Sequence, residues 1–199
     1  ARAEGIDDGA LSHLRDLQLS TLDVSWSAVS DRGVQETIAS LPSLTSLNLT
    51  GLAVSDRAVA ALLPLTKLEK LALACTSISD ASLDYLTYYS RYPDASTLTQ
   101  GLQHMRWLEL SNTRLTDTGV GKLVAIMEQG KPFGKVFKHL EYLALSMTSG
   151  VGPSAVRQVR TKYGFDAPLP NAQRTLAKSN AVALEAQVRP PPPPPPPPP

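Results

Sequence analysis

Four aspartates recur at one place in this chain: Asp31, Asp56, Asp80 and Asp117 each stand nine residues after an apolar anchor. A regular row of carboxylates could hold cations, or each could accept an orphan backbone N–H where a helix starts. One carboxylate per period, directly before a helix-like run such as Asp80-Ala81-Ser82-Leu83-Asp84-Tyr85-Leu86, points to helix N-caps and needs no ligand. His104 and His139 lie four residues before their anchors, Leu108 and Leu143, which would set them on neighbouring strands about 5 Å apart. Two imidazoles at that separation could share a metal. A zinc site, however, takes three or four protein ligands, and no third residue aligns with them, so they read as exposed histidines at strand edges. A glycine-rich phosphate loop, a nucleophile elbow and a paired-cysteine metal spacing are all missing from the sequence. The residue pattern therefore argues against an enzyme and calls for no cofactor and no metal.

The elements that carry these residues repeat. From each anchor the pattern is apolar at 0 and +2, small or polar at +5, apolar at +7 and Asp at +9. Leu22, Val24, Ser27, Val29 and Asp31 form one copy; Leu47, Leu49, Leu52, Val54 and Asp56 form the next, with an apolar residue at +5. Leu71, Leu73, Thr76, Ile78 and Asp80 follow, then Leu108, Leu110, Thr113, Leu115 and Asp117. A fifth copy, Leu143, Leu145 and Thr148, loses the pattern because Gly150 falls on the +7 place and no Asp follows. In each copy the alternating segment reads as a short strand with leucine inward. Such a unit cannot bury its apolar face alone and must stack on its neighbours. Ile6-Asp7-Asp8-Gly9-Ala10-Leu11 matches only the second half of a copy, Val29-Ser30-Asp31-Arg32-Gly33-Val34. The start therefore reads as a fragment of a longer array, or as a capping half-repeat.

These residues fit L-x-x-L-x-L-x-x-T-x-[IV]-[ST]-D-x-[GA]-[VL], and over roughly residues 6 to 160 the chain resembles the leucine-rich-repeat family. The form is similar to cysteine-containing and ribonuclease-inhibitor-like repeats, including the arrays of F-box proteins; where that form places Cys, this chain has Ser27, Leu52, Thr76, Thr113 and Thr148. The resemblance implies an α/β fold, a curved solenoid with parallel strands on the concave face and helices on the convex face. It also implies a protein that binds other macromolecules. Three roles remain open: a scaffold or subunit of a larger assembly, the substrate-recognition part of an F-box-type ubiquitin-ligase adaptor, or an actin or signalling regulator acting through the proline tail described below.

The concave face would be built from the residues flanking each anchor. Just before the anchor they run Thr21, Ser46, Lys70, Trp107, Tyr142, and just after it Asp23, Asn48, Ala72, Glu109, Ala144. Trp107 and Tyr142 should be neighbours, and exposed aromatics side by side are types enriched in interface hot spots. Asp23, Asn48, Lys70, Trp107, Glu109 and Tyr142 are thus the candidate partner-binding residues. The alternative is that long insertions fold over the aromatic pair.

Anchor spacings of 25, 24, 37 and 35 residues reveal two such insertions, Tyr88–Thr97 and Glu128–Phe137. They fall between a helix and the next strand, so a solenoid stacks them on one edge. Tyr88, Tyr89, Arg91 and Tyr92 in the first and Lys131, Phe133 and Lys135 in the second could form accessory contact loops. Equally, the insertions could lengthen helices and cover core. Pro153 to Tyr163 reads as a helix with proline in its first turn and Gly164 beyond its end. The repeat domain is accordingly placed at 1–163, a linker and Ala-rich helix at 164–189, and a polyproline tail at 190–199. Pro190 to Pro199 must be polyproline II, about 31 Å long at about 3.1 Å per residue. With Arg189 at its flank it is either a ligand for a profilin, SH3, WW or EVH1 type domain or a spacer.

At 199 residues, 42% hydrophobic and 19% charged, the chain has an ordinary globular balance, and a net charge of +1 argues against nucleic-acid binding. The charge is uneven: residues 1–31 hold two basic against six acidic residues, −4, and residues 131–162 six basic against one acidic, +5. No apolar run approaches the ~18 residues of a membrane span. The single cysteine, Cys75, forms no internal disulfide and fits a reducing, cytoplasmic setting. Asn48-Leu49-Thr50 matches the glycosylation pattern, but inside a strand it reads as chance.

Overall fold

Leucine and its neighbours alternate as the spacing requires, and the computed structural model turns each alternation into a three-residue strand. It describes residues 6–91, 104–128, 139–146, 148 and 150–163. The chain divides into two compact units, Arg2–Asp166 and a second made of Ala1 with Ala167–Pro199; the second lies outside the described residues. In the first, β1 (Thr21–Asp23), β2 (Ser46–Asn48), β3 (Lys70–Ala72), β4 (Trp107–Glu109) and β5 (Tyr142–Ala144) form one parallel sheet in chain order. The register aligns the five anchors, Leu22, Leu47, Leu71, Leu108 and Leu143, in one row. Such an α/β architecture, with one open sheet growing a strand at a time, is compatible with a leucine-rich-repeat array.

Helices return the chain between strands and pack on one another in sequence: α1 (Asp8–Leu11), α2 (Asp31–Glu36), α3 (Asp56–Leu62), α4 (Asp80–Arg91), α5 (Asp117–Glu128) and α6 (Pro153–Tyr163). Between them and the sheet lies the core, made of anchor, +2 and +7 residues such as Leu47, Leu49 and Val54 with helix residues such as Leu62 and Val120. At the +5 place Thr76 and Thr113 are buried, and their hydroxyls donate to the carbonyls of Leu73 (2.6 Å) and Leu110 (2.8 Å). A hydroxyl can sit there because the carbonyl three residues back satisfies it.

The helix caps differ from the sequence expectation. Asp31, Asp56, Asp80 and Asp117 are first helical residues, not N-caps. The capping oxygens belong to the residue before each: Ser30 accepts from Arg32 N–H, Ser55 from Arg57, Ser79 from Ala81 and Thr116 from Thr118. Each aspartate turns instead to the following repeat. Asp31 accepts the backbone N–H (2.7 Å) and the hydroxyl (2.6 Å) of Ser55, and Asp56 does the same for Ser79 at 2.7 Å each. Asp80 binds Thr116 at 2.9 and 2.6 Å, and Asp8 of the half-repeat binds Ser30 at 2.8 and 2.6 Å. A serine or threonine whose lone pair caps its own helix has a hydroxyl proton left over, and the neighbouring carboxylate takes it. The row of carboxylates is thus a chain of rungs between repeats.

In the fifth copy one extra residue enters before the bridge from Gly150 to Thr116. Val151 then packs half-buried against the core, one place later than the other +7 residues. Asp117 finds only the N–H of Gly152, at 2.7 Å, and Pro153 stands where an onward aspartate would be.

The insertions leave strand pairing undisturbed. Part of their length goes into helix, since α4 and α5 each have 12 residues where α2 has 6 and α3 has 7.

Candidate interaction surface

On the side of the sheet away from the leucine row, the residues flanking the anchors form two rows, matched strand to strand. Thr21, Ser46, Lys70, Trp107 and Tyr142 are aligned, as are Asp23, Asn48, Ala72, Glu109 and Ala144. Parallel pairing at one register brings Trp107 and Tyr142 ring to ring, with centroids 5.0 Å apart and planes 7° from parallel. Both are half-buried. Asp23 and Lys70 are exposed, and Asn48 is half-buried.

Several of these side chains also end their own strands. Asp23 Oδ1 accepts the N–H of Ser25 at 2.9 Å, and its other oxygen takes the Asn48 amide at 3.0 Å. Asn48 Oδ1 in turn accepts from Thr50 N–H at 3.0 Å. These are Asx turns, which tie the outward row to the chain reversal after each strand. Glu109, expected as an open contact residue, is only 7% exposed. It lies between Ala72 and Ala144, which offer it no partner, and it folds back so that Oε1 accepts from Ser111 N–H at 3.0 Å and Oε2 meets the Tyr142 hydroxyl at 3.5 Å. Glu109 thus reaches the aromatic pair at the Tyr142 hydroxyl. Beside it, Arg106 and Glu141 form an ion pair joining the starts of β4 and β5.

His104 and His139 are both exposed, and His104 Nδ1 lies 3.1 Å from the carbonyl of Thr66. Among the described residues no three or more His, Cys, Asp or Glu converge as metal ligands. Nor is any helix among them long and apolar enough to cross a membrane. Tyr88, Tyr89 and Arg91, read either as part of a contact loop or as a lengthened helix, belong to the last turns of α4. Tyr92, Lys131, Phe133, Lys135, Arg189, Pro190 and Pro199 lie outside the described residues.

The residue spacing does not point to one further row. Four residues after each anchor, Trp26, Gly51, Cys75 and Asn112 all have left-handed backbone, with φ of 59°, 72°, 57° and 53°. Each N–H at this place donates to the next repeat, Trp26 to Thr50 O and Gly51 to Ala74 O, both at 2.8 Å. The place was hidden because its occupants share no side-chain type. Trp26 is 42% exposed on this edge.

A family model described as Leucine Rich repeat matches residues 101–124, which span β4 and much of α5. No curated protein matches the chain. The match supports a leucine-rich-repeat protein, and domains of that kind are generally non-enzymatic modules that bind proteins.

Proposed function

We propose that this chain is a non-enzymatic protein-binding module, a scaffold or subunit of a larger assembly. Its partner docks on the outward sheet face, which is the concave side of a curved repeat solenoid. The observation that carries this is the stacked pair Trp107 and Tyr142, held 5.0 Å apart on neighbouring strands. Two rings fixed by the backbone ladder lose little freedom when a partner covers them, and Trp and Tyr are the types that concentrate binding energy. Asp23, Asn48 and Lys70 supply polar rim contacts on the preceding strands. A cytoplasmic setting fits the unpaired Cys75. Changing both Trp107 and Tyr142 to Ala should weaken the partner by about 2 kcal/mol or more while the melting temperature falls only slightly. Unchanged affinity would remove the outward face as the docking site.

The ten consecutive prolines, Pro190 to Pro199, favour a second reading, that the tail is a ligand for a profilin, SH3, WW or EVH1 type domain. Polyproline II is already the free state of such a run, so binding sacrifices little entropy. A peptide of Val188 to Pro199 titrated against those domains tests it. No binding tighter than about 1 mM would leave the tail as a spacer.

A further inference from the structure

We infer that Trp26 is a second docking point, independent of Trp107 and Tyr142, and that its ligand is a cationic side chain on a basic peptide segment. Trp26 occupies a left-handed place, φ 59°, that its counterpart Gly51 fills without strain. A bulky aromatic there is unfavourable for the backbone. Its indole is nevertheless fixed. Benzo-ring atoms fill the space that a side chain on Gly51 would take, Cε3 lying 2.3 Å and Cδ2 2.4 Å from an ideal Cβ. The Trp26 backbone N–H donates to Thr50 O at 2.8 Å, which holds the residue the indole stems from. The 42% of the residue left exposed is thus a preorganised aromatic surface. Ala28 and Ala53, both exposed and small, leave the approach along this edge open.

Charge selects the ligand. Residues 6–31 carry Asp7, Asp8, Asp16, Asp23 and Asp31 against Arg15, five acidic minus one basic, or −4. The Ala28 N–H donates to Ile6 O at 2.9 Å and Asp8 binds Ser30, which sets Ile6 to Asp8 beside Ala28 to Ser30, the segment that follows Trp26. Asp23, exposed, stands three residues before the indole. An indole face attracts a guanidinium or ammonium within about 6 Å of its centre, and the net negative charge of this stretch draws a basic segment while repelling an acidic one.

The test uses the full chain and three labelled decapeptides, alternating Arg/Gly, Glu/Gly and Ser/Gly, followed by fluorescence anisotropy. The Arg/Gly peptide should bind, and higher salt should weaken it. Trp26→Gly should lower its affinity roughly tenfold, with the fold confirmed by an unchanged or higher melting temperature, because glycine relieves the left-handed backbone. Asp23→Asn should lower it about threefold and flatten the salt dependence. Trp107→Ala should leave it within about twofold if the two surfaces are independent. Equal binding of the Ser/Gly or Glu/Gly peptide overturns the assignment, as does no binding below about 1 mM or an unchanged affinity in Trp26→Gly. Loss in Trp107→Ala instead of Trp26→Gly would move the peptide to the sheet face, refuting this site while leaving the proposed docking face intact.

Discussion

Replacing Asp56 with Ala removes both hydrogen bonds that its half-buried carboxylate receives from Ser79, the N–H and the hydroxyl at 2.7 Å each. A hydrogen bond to a charged group contributes about 1.5–3 kcal/mol when buried; partial exposure screens this, so the pair together should contribute about 2–3 kcal/mol. For a folded unit of this size that is a fall in melting temperature of roughly 5–10 °C. Asp117→Ala, which loses a single bond to Gly152 N–H from an exposed carboxylate, should cost about 1 kcal/mol. Urea and thermal unfolding of both variants measure the order. A double-mutant cycle of Asp56→Ala with Ser79→Ala then isolates the hydroxyl contact, with an expected coupling of about 1 kcal/mol. If Asp56 instead capped its own helix, the two changes would be additive and Asp56→Ala would match Asp117→Ala. That result would refute the inter-repeat rung.

Gly119→Val should break the Asp80 rung, because an added Cβ would lie 2.0 Å from Asp80 Oδ1; a loss of about 2–4 kcal/mol by urea unfolding is expected. Leu49→Ala, at a fully buried +2 position, should cost about 2–5 kcal/mol in the same assay. Thr50→Val should stabilise by up to about 1 kcal/mol, since the buried Thr50 Oγ1 has no hydrogen-bond partner among the described residues and valine keeps the shape; a lower melting temperature would contradict it.

Strand positions and register were legible in the sequence because leucine at 0 and +2 has one buried side to go to, and a one-residue slip would expose the whole row. Trp107 and Tyr142 were therefore placed side by side from spacing alone. The caps were not legible, since Ser-Asp and Thr-Asp pairs put two good capping residues together and local pattern cannot say which oxygen turns inward. The partner of Asp31 is Ser55, 24 residues away, so only the stacked array discloses it. The burial of Glu109 follows from the short side chains of Ala72 and Ala144 across two strand pairs, a condition set by three repeats together. The extra residue before Gly150 is a local accommodation, and the break in pattern there was visible without its cause.

Quantitative affinity capture compared by mass spectrometry tests the central claim most directly, with three baits: the intact chain, the chain with Trp107 and Tyr142 both changed to Ala, and a version ending at Arg189. A protein docked on the outward sheet face should be retained by the intact chain and by the Arg189 version and be lost from the double variant. Retention of the same proteins by the double variant at undiminished abundance would contradict the account.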